Sequence, residues 1–148
     1  MKKLIKTICV ALIALCATLL TGLPATAQVT IYHFEFTKVD GGYQIKAKSG
    51  VTLTGELEIP STYNDEPIVE IGSFYQQKFT SVVIPNTVTT ISNNAFQQCG
   101  NLTSISIPNS VKTIGSAAFF GCTKLTSVSL GNSIQSIGYR TFGNCTSL

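Results

Sequence analysis

Residues 102–124 read LTSISIPNSVKTIGSAAFFGCTK, and the 23 residues on either side follow the same pattern. These neighbouring units are residues 79–101 and 125–147, and each adjacent pair of units is identical at 11 of 23 positions. A fixed period between about 20 and 50 residues is typical of solenoids, in which each unit buries its apolar side chains against the next. The sequence therefore predicts a solenoid with one coil per 23 residues.

The first half of each unit has the pattern of a β-strand. Ile105 and Ile107 alternate with serines, which is the period of a strand with one buried face. Pro108 ends this strand because proline has no N–H to donate to a neighbouring strand. In the second half, the spacing of Ala118, Phe119 and Cys122 suits a short helical or 3-10 turn.

We therefore predict an α/β solenoid with one strand of a parallel sheet and one short turn per unit. A parallel β-helix is the competing solenoid, but more strand alternation is expected in its units. Equivalent positions of successive units should form columns in the core. The predicted columns are Ile91, Ile114 and Ile137; Phe96, Phe119 and Phe142; and Cys99, Cys122 and Cys145.

The cysteine column is interpreted as a ladder of small, buried thiols. Equivalent positions on adjacent coils lie about 5 Å apart, within the range of a disulfide, but the Cβ vectors would run parallel. Three cysteines also cannot all pair. No histidine or carboxylate accompanies them at zinc-site spacing, so we expect no metal site.

The first 27 residues have the features of a cleaved signal peptide. Three lysines precede the apolar stretch 8–20, and Ala25-Thr26-Ala27 is a small-x-small cleavage site. The apolar stretch is shorter than the roughly 20 residues of a transmembrane helix. We expect a secreted or cell-surface protein with no membrane-spanning segment once the leader is removed.

The remaining chain divides into a cap and a solenoid. Residues 28–49 contain two alternating segments around Asp40-Gly41-Gly42, which predicts an N-terminal β-hairpin cap. Residues 50–148 form the solenoid, which starts with a degenerate repeat at 53–78 that lacks the cysteine. The last residue, Leu148, is the first residue of an incomplete further unit, so we expect the N-terminal part of a longer protein. The alternative is a short product that covers its open end by self-association.

The charge pattern gives no support for nucleic-acid binding. Without the leader, seven basic residues balance seven acidic residues. The charges are nevertheless separated along the chain. Residues 28–78 carry four lysines and all seven acidic residues, whereas residues 79–148 carry Lys112, Lys124 and Arg140 with no acidic residue.

The outward-facing positions of the predicted strands form the candidate binding surface. Parallel strands in register would place them in two rows on a concave sheet face, as solenoids commonly use for binding. The rows are Glu56, Ser81, Ser104 and Ser127, and beside them Glu58, Val83, Ser106 and Ser129. Either the serines form a polar platform for a glycan or an extended peptide, or this face is only solvated. In the second case Tyr32, Tyr63, Tyr75 and Tyr139 at the edges would anchor the partner.

No residues are arranged as a catalytic site. His33 is the one histidine of the chain, and it falls in the predicted cap. A nucleophile with a base and an orienting group, a glycine-rich phosphate loop and paired carboxylates are not recognisable in the repeats. We therefore expect a non-enzymatic protein without a cofactor.

The units also match a family pattern, L-x-x-I-x-I-P-x-x-V-x-x-I-G-x-x-A-F-x-x-C-x-x-L. This pattern resembles the BspA-like class of bacterial leucine-rich repeats. The match is good over residues 79–148 and loose over 53–78, with Ser92, Gly131 and Thr141 among the departures. The matching residues of the central unit are Leu102, Ile105, Ile107, Pro108, Val111, Ile114, Gly115, Ala118, Phe119, Cys122 and Leu125.

The resemblance implies a secreted or surface-attached binding module that mediates adhesion to host proteins or to other cells. On this basis we expect a protein partner, either host extracellular or on a bacterial surface. A carbohydrate-binding module and a structural spacer without a ligand are the alternatives.

Overall fold

The computed structural model describes residues 33–148, so the predicted leader, Tyr32 and the start of the predicted cap lie outside the described residues. Eleven strands are present in this part of the chain. They are β1 (Phe34–Val39), β2 (Gly42–Ala47), β3 (Thr54–Glu58), β4 (Thr62–Tyr63), β5 (Glu66–Ile71), β6 (Lys78–Val83), β7 (Thr90–Ile91), β8 (Ser104–Ser106), β9 (Thr113–Ile114), β10 (Ser127–Ser129) and β11 (Ser136–Ile137).

The chain forms a solenoid of four coils, which confirms the predicted fold class. Each coil has two strands that stack on those of its neighbours rather than the one expected, and the first coil also contains β4. The first strands are β3, β6, β8 and β10, and the second strands are β5, β7, β9 and β11. Second strands pair in parallel with Ile71, Ile91, Ile114 and Ile137 in register. This isoleucine column faces the core, because side chains alternate between the two faces of a strand.

The β1–β2 hairpin closes one side of the N-terminal end. Gly41, with φ +80°, occupies its tight turn, as the Asp40-Gly41-Gly42 sequence predicts. Strand β2 then pairs in parallel with β5, so the hairpin extends the sheet of second strands. Lys38 and Glu66 form an ion pair between the hairpin and the first coil.

After its second strand, each coil continues as a run of turns, which we call the turn side. Residues 33–148 contain no α-helix. In the second coil, Ala95 N donates to Ser92 O and Gln97 N donates to Asn94 O, three residues back. The N–H groups between them donate instead to the next coil, as Phe96 N does to Ala118 O at 2.7 Å. A helix cannot form because every second N–H is used between coils.

These bonds between coils on the turn side all run in one direction. In each backbone bond between coils on the turn side, the N–H donates to a carbonyl of the coil that follows in sequence, from Phe74 N to Ala95 O through Gly121 N to Gly143 O. The alternation with local bonds requires a left-handed residue at regular places. Ala117, with φ 54°, and Gly121, with φ 74°, occupy these places in the third coil.

The core is a set of stacked columns. The phenylalanine column starts one coil earlier than predicted, with Phe74, whose ring lies 5.7 Å from that of Phe96. The Phe96–Phe119 and Phe119–Phe142 rings follow at 5.2 and 5.3 Å between centroids. Phe96 and Phe119 are fully buried, whereas Phe142 is half-buried and Ile137 is 47% exposed.

Candidate functional site

The outward side chains of the first strands lie in register, and we call them the serine face. Glu56 pairs with Ser81 and Glu58 with Val83 between β3 and β6. The pairs between β8 and β10 follow without a register shift. Strands β6 and β8 are not paired with each other in the described chain, and Thr103 N, just before β8, donates to Thr80 O of β6 at 3.1 Å. The serine face comprises Glu56, Glu58, Ser81, Val83, Ser104, Ser106, Ser127 and Ser129.

The serine face is open to solvent. Ser81 is half-buried and the other seven side chains are exposed, whereas the intervening Leu57, Val82 and Ile105 are buried. Within residues 33–148 the serine-face side chains donate or accept no hydrogen bond with protein groups. Their hydroxyls, each a donor and an acceptor, are therefore available to a bound molecule.

A threonine row borders the serine face and fixes the spacing of its strands. The Oγ1 atoms of Thr80, Thr103 and Thr126 donate to the carbonyls of Gly55, Thr80 and Thr103 at 3.1, 3.2 and 3.0 Å. Each bond joins one coil to the preceding one. Sequence reasoning missed this row, although threonine at the second position of all three units was its signal.

The charge of the serine face changes along the solenoid. Glu56 and Glu58 lie at its N-terminal end, and the following coils present hydroxyl groups and Val83, which is 49% exposed. Neither glutamate is in either of the two ion pairs that the described residues form, Lys38–Glu66 and Lys46–Glu35. The face therefore offers carboxylates at one end and uncharged donors and acceptors at the other.

The predicted edge tyrosines do not form one platform. The Tyr63 ring stacks on Phe36 with centroids 3.8 Å apart and meets the edge of Tyr43, so it anchors the hairpin. The Tyr75 hydroxyl donates to Gln98 Oε1 at 3.0 Å on the turn side. Tyr139 is 72% exposed with the Arg140 guanidinium over its ring.

The cysteine column is part of the core and is chemically satisfied. Cys99, Cys122 and Cys145 are free thiols, and each Sγ donates to a phenylalanine carbonyl of the preceding coil at 3.1–3.2 Å. Burial raises the pKa of the Cys122 thiol to about 12, and it also raises the pKa values of Cys99 and Cys145. A raised pKa keeps the thiol protonated and unreactive at neutral pH.

Other chemistry is sparse in the described part of the chain. No group of three or more His, Cys, Asp or Glu side chains is placed to hold a metal ion within residues 33–148. His33 lies at the start of the hairpin, and the thiols lie in the core on the turn side. Over the same residues, no helix has the length and apolar character needed to cross a membrane.

Several solved structures resemble the chain. A leucine rich cell surface protein from Faecalibacterium prausnitzii A2-165 is 29% identical with a TM-score of 0.61, and the match covers 84% of this chain and 35% of that protein. A leucine-rich repeat protein from Bacteroides ovatus is 34% identical with a TM-score of 0.61, covering 75% and 31%. The Treponema pallidum leucine rich repeat protein is 26% identical with a TM-score of 0.50, covering 86% and 48%.

The chain therefore spans about a third to a half of the length of each of these proteins. None of the curated proteins compared with it matches. The family model for the BspA type leucine rich repeat region, described with six copies, matches residues 68–148, which is more than half of the chain. Together with the four coils, their 23-residue spacing and the columns of Ile, Phe and Cys, this match shows that the chain belongs to the BspA-type leucine-rich-repeat family.

Proposed function

We propose that this chain is an exported, cell-surface binding module whose serine face receives a protein partner, without a catalytic role. The observation that carries the proposal is the serine face itself. Its residues stand in register within the β3–β6 and β8–β10 pairs, and their side chains make no hydrogen bond within the described part of the chain. Regular rows of unused donors and acceptors suit an extended chain that presents polar groups at the same spacing.

The predicted leader at residues 1–27 and the name of the Faecalibacterium prausnitzii structure, a cell surface protein, support export to the surface. The small side chains support a flat contact, because serine offers hydrogen bonds without projecting from the sheet. The exposed Val83 adds apolar area near the middle of the face.

The test uses the fluorescently labelled chain on cultured epithelial cells and on bacterial cells, read by flow cytometry. We expect saturable binding that is lost when the cell surfaces are first treated with protease. In the double variant Ser104→Arg/Ser127→Arg, two bulky cations on the two later strands of the face should weaken binding by at least about tenfold, or 1.4 kcal/mol.

The matched control is Asn86→Arg/Ser133→Arg, which adds the same charges at exposed positions in the turns that follow the first strands. It should bind like the unmodified chain. Binding that survives protease but is competed by millimolar soluble sugars would assign the face to a glycan. Equal binding by both double variants would leave the serine face without a role in binding, whereas no saturable binding by the unmodified chain would favour a structural spacer.

A further inference from the structure

Strand β3 is an outer strand with which the N-terminal hairpin does not pair. The hairpin pairs with β5 and so extends the sheet of second strands. On the side of the first strands, β3 pairs with β6 and with no other strand of residues 33–148. One long side of β3 is therefore free of strand pairing within the described chain.

The backbone groups on that free side belong to Glu56 and Glu58. The carbonyls of Leu53 and Gly55 accept bonds from Lys78 N at 2.8 Å and from the Thr80 hydroxyl at 3.1 Å, so both point toward β6. Ile59 N donates to Val83 O at 3.1 Å in the same direction. Successive residues of a strand direct their N–H and C=O groups to opposite sides. The even-numbered residues 56 and 58 thus direct theirs away from β6.

The free side is short and acidic. Gly55 has φ +75° and the β3–β6 register shifts between Gly55 and Glu56, which sets one limit of the regular strand. Pro60 sets the other limit, since it has no N–H. Between these limits both glutamates are exposed, and neither forms an ion pair with a described residue. Edge strands in natural proteins are commonly protected by lysine, proline or a covering segment, because open edges pair with other chains.

We infer that the free edge of β3 binds an extended segment of a protein partner, which adds as a strand and presents lysine or arginine side chains to Glu56 and Glu58. Main-chain hydrogen bonds supply the affinity in this mode, and side chains at alternate positions supply the specificity. The positive charge follows from the two unpaired carboxylates, since opposite charges on neighbouring strands stabilise the pair. The inference rests on the proposed function, a protein partner, and names the conformation and charge of the part that binds.

The test measures amide hydrogen exchange by NMR on the full chain. The probe is an acetylated, amidated eight-residue peptide that alternates lysine and valine, and the control peptide has glutamate in place of lysine. We expect the Glu56 and Glu58 amides to exchange rapidly in the free chain and at least about tenfold more slowly with the lysine peptide. The glutamate peptide should give no protection.

The variant Glu56→Lys/Glu58→Lys should reverse this preference, because it changes the charge and keeps the same backbone groups. If both amides are already protected in the free chain at every concentration, the chain covers its own edge and the inference is wrong. Protection that rises with protein concentration would identify a second copy as the occupant and would also overturn it. An equal response to both peptides contradicts the charge argument.

The two proposals fail separately. The Ser104→Arg/Ser127→Arg variant keeps the β3 edge, so the lysine peptide should protect Glu56 and Glu58 in it as in the unmodified chain. Unchanged cell binding by this variant would count against the serine face alone. If the lysine peptide does not slow exchange of the Glu56 and Glu58 amides in the unmodified chain, this would count against the β3 edge alone.

Discussion

Gln77 takes the place of the column cysteine in the first coil. Counted from the stacked phenylalanine, it is the third residue after Phe74, as Cys99 is after Phe96. In the later coils the column cysteine donates its S–H to a phenylalanine carbonyl of the preceding coil. The first coil has the cap, and not another coil, before it. Gln77 Oε1 accepts from Leu53 N at 2.6 Å and its Nε2 donates to Val51 O at 3.1 Å. The longer side chain thus satisfies the backbone that enters the solenoid.

Gln77→Cys should destabilise the protein, although it restores the residue of the regular units. The shorter side chain does not reach Leu53 N, and a buried N–H without a partner costs about 1–3 kcal/mol. Urea unfolding measures the change. Gln135→Ala, at an exposed position, should stay within about 0.5 kcal/mol of the unmodified chain. If Gln77→Cys is as stable as the unmodified chain, the amide bonds of Gln77 contribute nothing.

The turn side is the element whose geometry depends most on single backbone conformations. Ala117 has φ 54°, a left-handed conformation that costs a residue with a Cβ about 1–2 kcal/mol. Gly121 is also left-handed, with φ 74°, but it has no Cβ and does not bear this cost. The strain at Ala117 is retained because its N–H donates to Tyr139 O at 2.9 Å and continues the row of bonds between coils.

Ala117→Gly should therefore stabilise the protein, whereas Ala118→Gly should destabilise it. The first change removes the left-handed strain and adds unfolded-state entropy, for a net gain of up to about 1 kcal/mol. The second removes a fully buried methyl group and makes the backbone more flexible, at a cost of about 1–2 kcal/mol. Thermal unfolding of both variants checks the opposite signs. A loss of stability in both would show that Ala117 is not strained.

The columns were predictable from sequence, and the backbone of the turn side was not. Apolar side chains at a fixed 23-residue spacing have one way to be buried, so the Ile, Phe and Cys positions indicate stacking directly. The spacing of Ala118, Phe119 and Cys122 suits a helical turn as well as consecutive β-turns, because both place these side chains inward. The choice depends on bonds to the next coil, which periodicity within one unit does not contain.

The serine face was also predictable from the sequence only in part. Strand alternation alone predicts its two rows, and the structure places their residues in register within the β3–β6 and β8–β10 pairs. The free edge of β3 was not predictable, because it depends on which sheet the hairpin joins. The two residues of β4 also escaped prediction: they pair with β5 through a tight turn in which Asn64 and Asp65 have φ 52° and 63°.

At the scale of the whole molecule, the cysteine column links stability to pH across three coils. Burial raises the pKa of the folded Cys122 thiol from its ordinary value of 9.0 to about 12. The unfolded chain therefore releases this proton first as the pH rises above 9, and the folded state loses stability from there toward pH 12. At neutral pH this thiol is protonated in both the folded and the unfolded state, so its ionisation should not change the free energy of unfolding.

The destabilisation caused by Cys122→Ala should therefore decrease as the solution becomes alkaline. The difference in unfolding free energy between the unmodified chain and the variant should be constant below pH 9 and should then shrink by up to about 1.4 kcal/mol per pH unit. Urea titrations at pH 7, 9 and 10.5 measure this difference, in which the ionisation of the lysines and tyrosines common to both proteins cancels. A difference that stays constant at all three values would show that the thiol is not shielded from solvent.

The one-way hydrogen bonds of the turn side also make the molecule an electric dipole. Every aligned peptide group there directs its N–H toward the later coils, so the positive end of each group dipole points the same way. The acidic residues lie in the first half of the solenoid and the cap, and Lys112, Lys124 and Arg140 lie in the later coils. In an α-helix, side-chain charges commonly oppose the backbone dipole, whereas here the two add. The protein thus has a negative and a positive end, and salt confines their influence on a neighbouring surface to about 8 Å at physiological ionic strength.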